Sequence, residues 1–152
     1  MIPTVPQKTA SDVADLTFRL LASCQKKEEL FAHAFGVSVP EFRVFRAFRH
    51  DPNRNVKEVI DELGVGRSNF SKIAASLESK GFLVRTIAPE DRRSVRVALT
   101  EKGIELSHRL EARYLEIHEE ILRGIPISLH ASLVQALEQL FQSLDRWLTA
   151  DP

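Results

Sequence analysis

A chain of 152 residues, 43% of them hydrophobic, is long enough for one domain with its own core plus an appended helical element, and too short for two full domains. Its single cysteine, Cys24, excludes an intramolecular disulfide framework and a multi-cysteine metal knuckle, and points to a reducing cytoplasm. The formal charge is zero but unevenly spread: residues 1–39 hold 4 basic and 4 acidic side chains, residues 40–103 hold 13 and 9, and residues 104–152 hold 4 and 8. A positive middle therefore precedes a negative tail, so the placement of the arginines matters more than the sum.

Residues 1–10, with Pro3 and Pro6, read as a flexible arm. They hold no apolar run of signal-peptide length, and no later segment approaches a membrane span, so a soluble cytoplasmic protein is expected. Ser11 and Asp12 can cap a long amphipathic helix on which Val13, Leu16, Leu20 and Cys24 recur at spacings of three and four, continued by Leu30, Phe31 and Phe35. Gly36 ends it. The chain restarts at Ser38 or Val39, with Pro40 in the first turn of a second helix. Phe42, Phe45 and Phe48 form an aromatic stripe on that helix, which stops near His50-Asp51-Pro52-Asn53 and is expected to be core.

Asn55 is placed to cap a third helix over Val56 to Leu63, and Gly64-Val65-Gly66 makes a tight break before a fourth over Arg67 to Lys80. A short helix, a glycine turn and a longer helix make a helix-turn-helix. On the fourth helix Phe70, Ile73, Ala74 and Leu77 share one face, which leaves Arg67, Ser68, Asn69, Ser71, Lys72 and Ser76 off the core. Gly81 supplies a left-handed end, after which Phe82 to Ile87 and Val95 to Leu99 alternate as two strands around a charged, proline-marked turn. That hairpin has the outline of a wing. Two adjacent arginines, Arg92 and Arg93, stand at or near its tip, where a guanidinium suits the narrow groove of DNA.

Thr100 can cap a fifth helix carrying Leu106, Leu110, Tyr114, Ile117 and Ile121, stopped by Gly124 and Pro126. A last helix from about Ser128 shows Leu133, Leu137, Leu140, Leu144 and Trp147 at near-heptad spacing. These terminal helices and the first are more apolar than a lone winged domain can cover, so self-association is expected. The predicted fold is mostly α with a small β wing, divided into an arm at 1–10, a winged helix-turn-helix DNA-binding domain at 37–103, and a helical dimerisation region from 11–36 and 104–148.

The chain resembles the MarR family of winged-helix transcriptional regulators over nearly its whole length. The specific part is Asp-x-Arg followed by Leu-Thr-x-x-Gly, present as Asp91-Arg92-Arg93 and Leu99-Thr100-Glu101-Lys102-Gly103. Supporting it are the runs Leu63 to Ser71 and Leu77-Glu78-Ser79-Lys80-Gly81-Phe82. The resemblance implies a homodimer, held together by the first, fifth and sixth helices, with two winged modules on a pseudo-palindromic operator. It implies that Asp91 braces the wing by pairing with an arginine, that Arg93 approaches the minor groove, and that Arg92 fills the variable place between them. Ser68, Asn69, Ser71 and Lys72 match the base-reading start of the recognition helix, with Arg67 beside them for phosphate. Asn69 stands where Thr is common and can pair bidentately with adenine. Ile60 stands where the third helix commonly has a small Ala, which bears on how closely the two helices approach.

As an effector the resemblance implies a small aromatic ligand, with repression as the commoner sign. Phe18, Phe31, Phe35, Phe42, Phe45 and Tyr114 can line a pocket where the first, second and fifth helices meet, though each also serves as core, so no ligand residue is singled out. Some relatives sense oxidants through a first-helix cysteine, but Cys24 continues an apolar stripe, and packing is the stronger account of it. The five histidines, His33, His50, His108, His118 and His130, show no paired ligand spacing, and no metal or other cofactor is expected. The chain has no glycine-rich phosphate loop and no nucleophile motif, so an enzyme is not expected. Two readings stay open beside the regulator: a winged-helix protein-interaction module without specific DNA binding, and a redox-sensing regulator acting through Cys24.

Overall fold

The computed structural model describes residues 4–88 and 91–150, with backbone alone at 88 and 91–93. In chain order the elements are α1 (Gln7–Ala34), α2 (Val39–Ala47), β1 (Asn53–Asn55), α3 (Val56–Leu63), α4 (Arg67–Ser79), β2 (Leu83–Ala88), β3 (Asp91–Leu99), α5 (Glu101–Leu122) and α6 (His130–Thr149). The chain is mostly helical with one small antiparallel sheet of order β1-β3-β2, the fold class expected from the sequence. It divides into two compact units, Met1–Glu111 and Ala112–Pro152.

Local chemistry accounts for most boundaries in the first unit. Ser38 and Glu41 form a reciprocal capping box at the start of α2, with Pro40 in the first turn. The Asn55 side chain accepts from Lys57 N–H and caps α3 as expected. Gly36, Gly64 and Gly81 all have positive φ, and at Gly64 this left-handed residue is the turn between α3 and α4. Ile60 leaves the turn closed, because the Val65 N–H still reaches the Ile60 carbonyl at 3.4 Å. The Thr100 hydroxyl accepts from Gly103 N–H at 3.0 Å and donates to the Gly81 carbonyl at 2.6 Å, so one side chain joins the end of α4 to the start of α5.

The core of this unit draws on every element around α4. Phe31 of α1, Phe42, Val44 and Phe45 of α2, Val59 of α3, Phe70, Ala74 and Leu77 of α4, Leu83, Val97 and Leu99 of the sheet, and Leu106 and Leu110 of α5 are buried. The Phe31 and Phe42 rings are 4.9 Å apart and Phe45 meets Phe82 edge-on at 5.8 Å, so the aromatic stripe of α2 is core.

Three expectations are corrected. Helix α1 begins at Gln7, not after Ser11: Pro6 takes φ −58° and ψ 134°, its carbonyl accepts from Ala10 N–H, and the last residues of the expected arm are helical. A third strand, β1, lies at Asn53–Asn55, whereas only the two strands of the wing were expected; it pairs Asn53 with Ala98, Arg54 with Val97 and Asn55 with Arg96. Phe18 of α1, expected to serve as core, is 77% exposed; among the described residues Val13, Leu16, Leu20 and Leu30 on the same helix are exposed too, and Cys24 is half-buried. Phe18 is therefore no part of the core, and Cys24 is not enclosed by its stripe.

In the second unit, His130 Nε2 lies 3.2 Å from the Leu122 carbonyl and 3.0 Å from that of Ile125, so its N–H closes the end of α5. A short 3-10 turn, Ile127–Leu129, leads into α6, which has no buried residue; Leu137, Leu140, Leu144 and Trp147 are all exposed. Among the described residues no helix is long and apolar enough to cross a membrane.

Candidate nucleic-acid interface

Helix α4 lies on the core through Phe70, Ala74 and Leu77, and that choice of face decides what the other side presents. Arg67, Ser68, Asn69, Ser71 and Lys72 are all exposed, so the structure brings the five predicted helix residues onto one outward surface. Gly66 precedes the helix at φ −71° and ψ 150° with no side-chain cap, which leaves the first-turn N–H groups and the positive end of the dipole facing the same way. Asn69 also borders a small cleft with Pro40, Arg43, Leu63, Val65 and Ile73. Among the described residues Arg67 and Lys72 make no ion pair, so both charges remain available to phosphate.

The hairpin stands beside α4 and is tied to it by a residue that sequence reasoning left without a role. Arg85 of β2 donates to both carboxylate oxygens of Glu78 at 3.1 Å and to the hydroxyl and carbonyl oxygens of Ser71, each at 3.2 Å. One guanidinium thus spans strand and helix, and the exposed Ser71 hydroxyl is already engaged on one side. Further back, Arg96 donates to Asn53 Oδ1 at 3.0 Å and to its carbonyl at 2.8 Å, and Asn55 Nδ2 donates to Ser94 Oγ at 2.8 Å. These bonds hold the polar strand β1 on β3. Strand β3 starts at Asp91, which faces Ala88 across the hairpin, with an irregularity in register at Ile87 and Ala88. The side chains of Asp91, Arg92 and Arg93, predicted as wing brace and groove contacts, lie outside the described residues.

Beneath α4 is a second feature that sequence reasoning missed. Glu41 of α2 is only 3% exposed, yet it is fully engaged. It accepts from Ser38 N–H at 2.8 Å, from the Ser76 hydroxyl at 2.7 Å, and from Lys80 Nζ with both oxygens at 2.8 Å. Burial pushes its pKa up, but the Lys80 hydrogen bonds, the Ser38 N–H, the Ser76 hydroxyl and the Lys80 charge outweigh that and hold it below the ordinary 4.5. The capping-box half of this cluster was legible as Ser38-x-x-Glu41; the partners on α4 were not.

The aromatic residues considered for an effector pocket behave differently. Phe31, Phe42 and Phe45 are close-packed, Phe35 is half-buried with the Arg109 guanidinium 5.9 Å from its ring centre, and Phe18 is exposed. Tyr114 belongs to the second unit, where its ring lies 4.4 Å from that of His118. Among the described residues, no three His, Cys, Asp or Glu side chains come together as a metal-ligand set.

A family profile described as the MarR family matches residues 35–94. The chain is 29% identical over 104 residues to the HTH-type transcriptional regulator YfiV of Bacillus subtilis, covering 68% of this chain and 56% of that protein. To MhqR of the same organism it is 30% identical over 74 residues, covering 49% and 51%. It thus spans about half the length of these two relatives. Among solved structures, a MarR family protein from Bacillus stearothermophilus superposes with a TM-score of 0.82 at 15% identity, covering 93% of this chain and 99% of that one. PcaV of Streptomyces coelicolor, solved with its natural ligand, gives 0.68 at 20% identity, covering 94% and 99%. With an exposed polar helix on a buried apolar face and a hairpin beside it, the chain has the winged-helix fold of MarR family proteins, and its residues 35–94 are similar to the MarR family of transcriptional regulators.

Proposed function

We propose that the protein is a cytoplasmic, sequence-specific DNA-binding repressor that acts as a homodimer on a pseudo-palindromic operator and releases it when a small aromatic ligand binds. The observation that carries the reading is the outward face of α4. Short polar side chains at Ser68, Asn69 and Ser71 meet base edges, while Arg67 and Lys72 hold phosphate on either side. Arg85 supports it by setting the hairpin at a fixed distance from that face. In this reading the winged module is 37–103 and dimerisation runs through 11–36 and 104–148, a division supported by exposed apolar side chains such as Leu16, Phe18, Leu140 and Phe141. Control by a ligand rests on PcaV, which was solved with one. Such a ligand acts only through its different affinity for operator-competent and incompetent arrangements of the two modules.

Selection of bound duplexes from a random pool by the purified protein tests the reading directly, and an enriched inverted repeat is the expected result. On that repeat, Asn69→Ala should change preference at one half-site position, whereas Arg93→Ala should weaken binding across sequences and reduce its salt dependence. Enrichment of no sequence, with polyanion binding lost at physiological salt, would instead identify a protein-interaction module. Unchanged binding by a folded Arg93→Ala dimer would remove the wing from the interface.

A further inference from the structure

We infer that Glu41 is the positioning residue of the recognition helix: its buried carboxylate fixes the tilt of α4 on α2, and with it the half-site spacing that the dimer accepts. The inference rests on α4 being the DNA-reading helix.

The contacts of Phe70, Ala74 and Leu77 hold α4 on the core, but apolar contacts are non-directional and resist a small tilt only weakly. Directional bonds supply what they lack. Glu41 takes two bonds from Lys80, one from Ser76 and one from Ser38, the N-cap residue of α2, so a single side chain pins the end of α4 to the start of α2. The same end is held to α5 by Lys102 Nζ on the Lys80 carbonyl at 3.0 Å and by the Thr100 hydroxyl on the Gly81 carbonyl.

The reading end of α4, Ser68 and Asn69, lies about two to three turns away, so its lever arm is roughly 15 Å. Over that length a tilt of about 10° moves the reading side chains by roughly 2.5 Å, enough to break a base contact whose tolerance is a few tenths of an ångström. A buried ion is a poor choice for stability alone, since an apolar side chain of similar size does as well or better. Its advantage is geometry: the carboxylate can be satisfied in one arrangement of α2 and α4 and not in a neighbouring one.

The test uses the full chain and the inverted repeat enriched by selection, together with duplexes in which the half-sites are one base pair closer or farther apart. Glu41→Gln keeps the shape and loses the charge. The variant is expected to fold and associate as the wild type does, to lose roughly tenfold or more in affinity for the selected spacing, and to lose much less for the altered ones, so that spacing preference flattens. Lys80→Met should flatten it too, and more severely alone than together with Glu41→Gln, because alone it leaves a buried carboxylate unpaired. A loss of general stability would lower affinity for all spacings together and leave the preference intact. A folded Glu41→Gln protein with wild-type spacing preference overturns the inference. Should that variant not fold, Ser76→Ala, which removes one bond and keeps the ion pair, must still flatten the preference, and unchanged preference there overturns it. If the wild type enriches no inverted repeat, it is the DNA reading itself that fails.

Discussion

A Cβ placed on Gly103 would run into the carbonyl oxygen of Phe82 and sit 3.3 Å from Leu99 Cβ. The glycine that closes the Leu-Thr-x-x-Gly run is therefore there because the first turn of α5 crosses the backbone leaving α4. In an open helix Gly→Ala gains about 1 kcal/mol, but this contact is with backbone, which cannot step aside. Gly103→Ala is expected to lose about 1–3 kcal/mol, the usual cost of overpacking, read by urea denaturation at fixed protein concentration; a midpoint equal to or above wild type would contradict it. Glu41 gives the second prediction at this scale. Its folded pKa lies below the ordinary 4.5, held there chiefly by Lys80 against the opposing effect of burial, so its stabilising contribution is complete above 4.5 and fades as pH falls through the folded value. The stability gap between wild type and Glu41→Gln should be constant from about pH 8 to pH 5 and shrink below that. A gap that persists unchanged to pH 3 would show that the ionised Glu41 is not its source.

Elements built from local chemistry were the ones legible in the sequence. The cap and span of α3, the break at Gly64, the buried face of α4 and the Thr100 cap of α5 each follow from residues within one or two turns, and the structure has them where those residues stand. The exposed set Arg67, Ser68, Asn69, Ser71 and Lys72 was legible for the same reason, being what remains once the apolar face is assigned. Strand β1 was not: Asn53-Arg54-Asn55 has neither alternation nor β-branched side chains, and it pairs because Arg96 and Ser94, about forty residues on, hold its two asparagines. Bonds from Arg85 to Ser71 and from Lys80 to Glu41 were invisible on similar grounds. Charge identity is written in the sequence, but which charge meets which is decided by tertiary packing. Periodicity also said that α1 has an apolar face without saying what lies against it, and Phe18 shows the difference.

At the scale of the whole molecule, the unresolved balance is apolar surface. Helix α6 buries nothing, although Leu137, Leu140 and Leu144 recur at heptad spacing and Trp147 is 73% exposed; Val134, Phe141 and Leu148 widen the stripe. Leu16, Phe18, Leu20 and Leu21 are likewise exposed on α1. A monomer rarely leaves so many large apolar side chains exposed on a helix, and a second copy of the chain would supply an identical face across a two-fold axis. Heptad-spaced leucines are what such a helix-on-helix contact requires. The expected result is a dimer by sedimentation equilibrium at micromolar concentration, with a melting temperature that rises with protein concentration because association and folding are linked. Replacing Leu137 and Leu144 together by Glu sets charge in the seam on both copies and should shift the equilibrium to monomer. Operator affinity should then fall by roughly a hundredfold or more, since each module loses the effective concentration that its partner provides. A wild-type chain that sediments as a monomer, with a melting temperature independent of concentration, would rule out the dimer and leave these faces for a different partner.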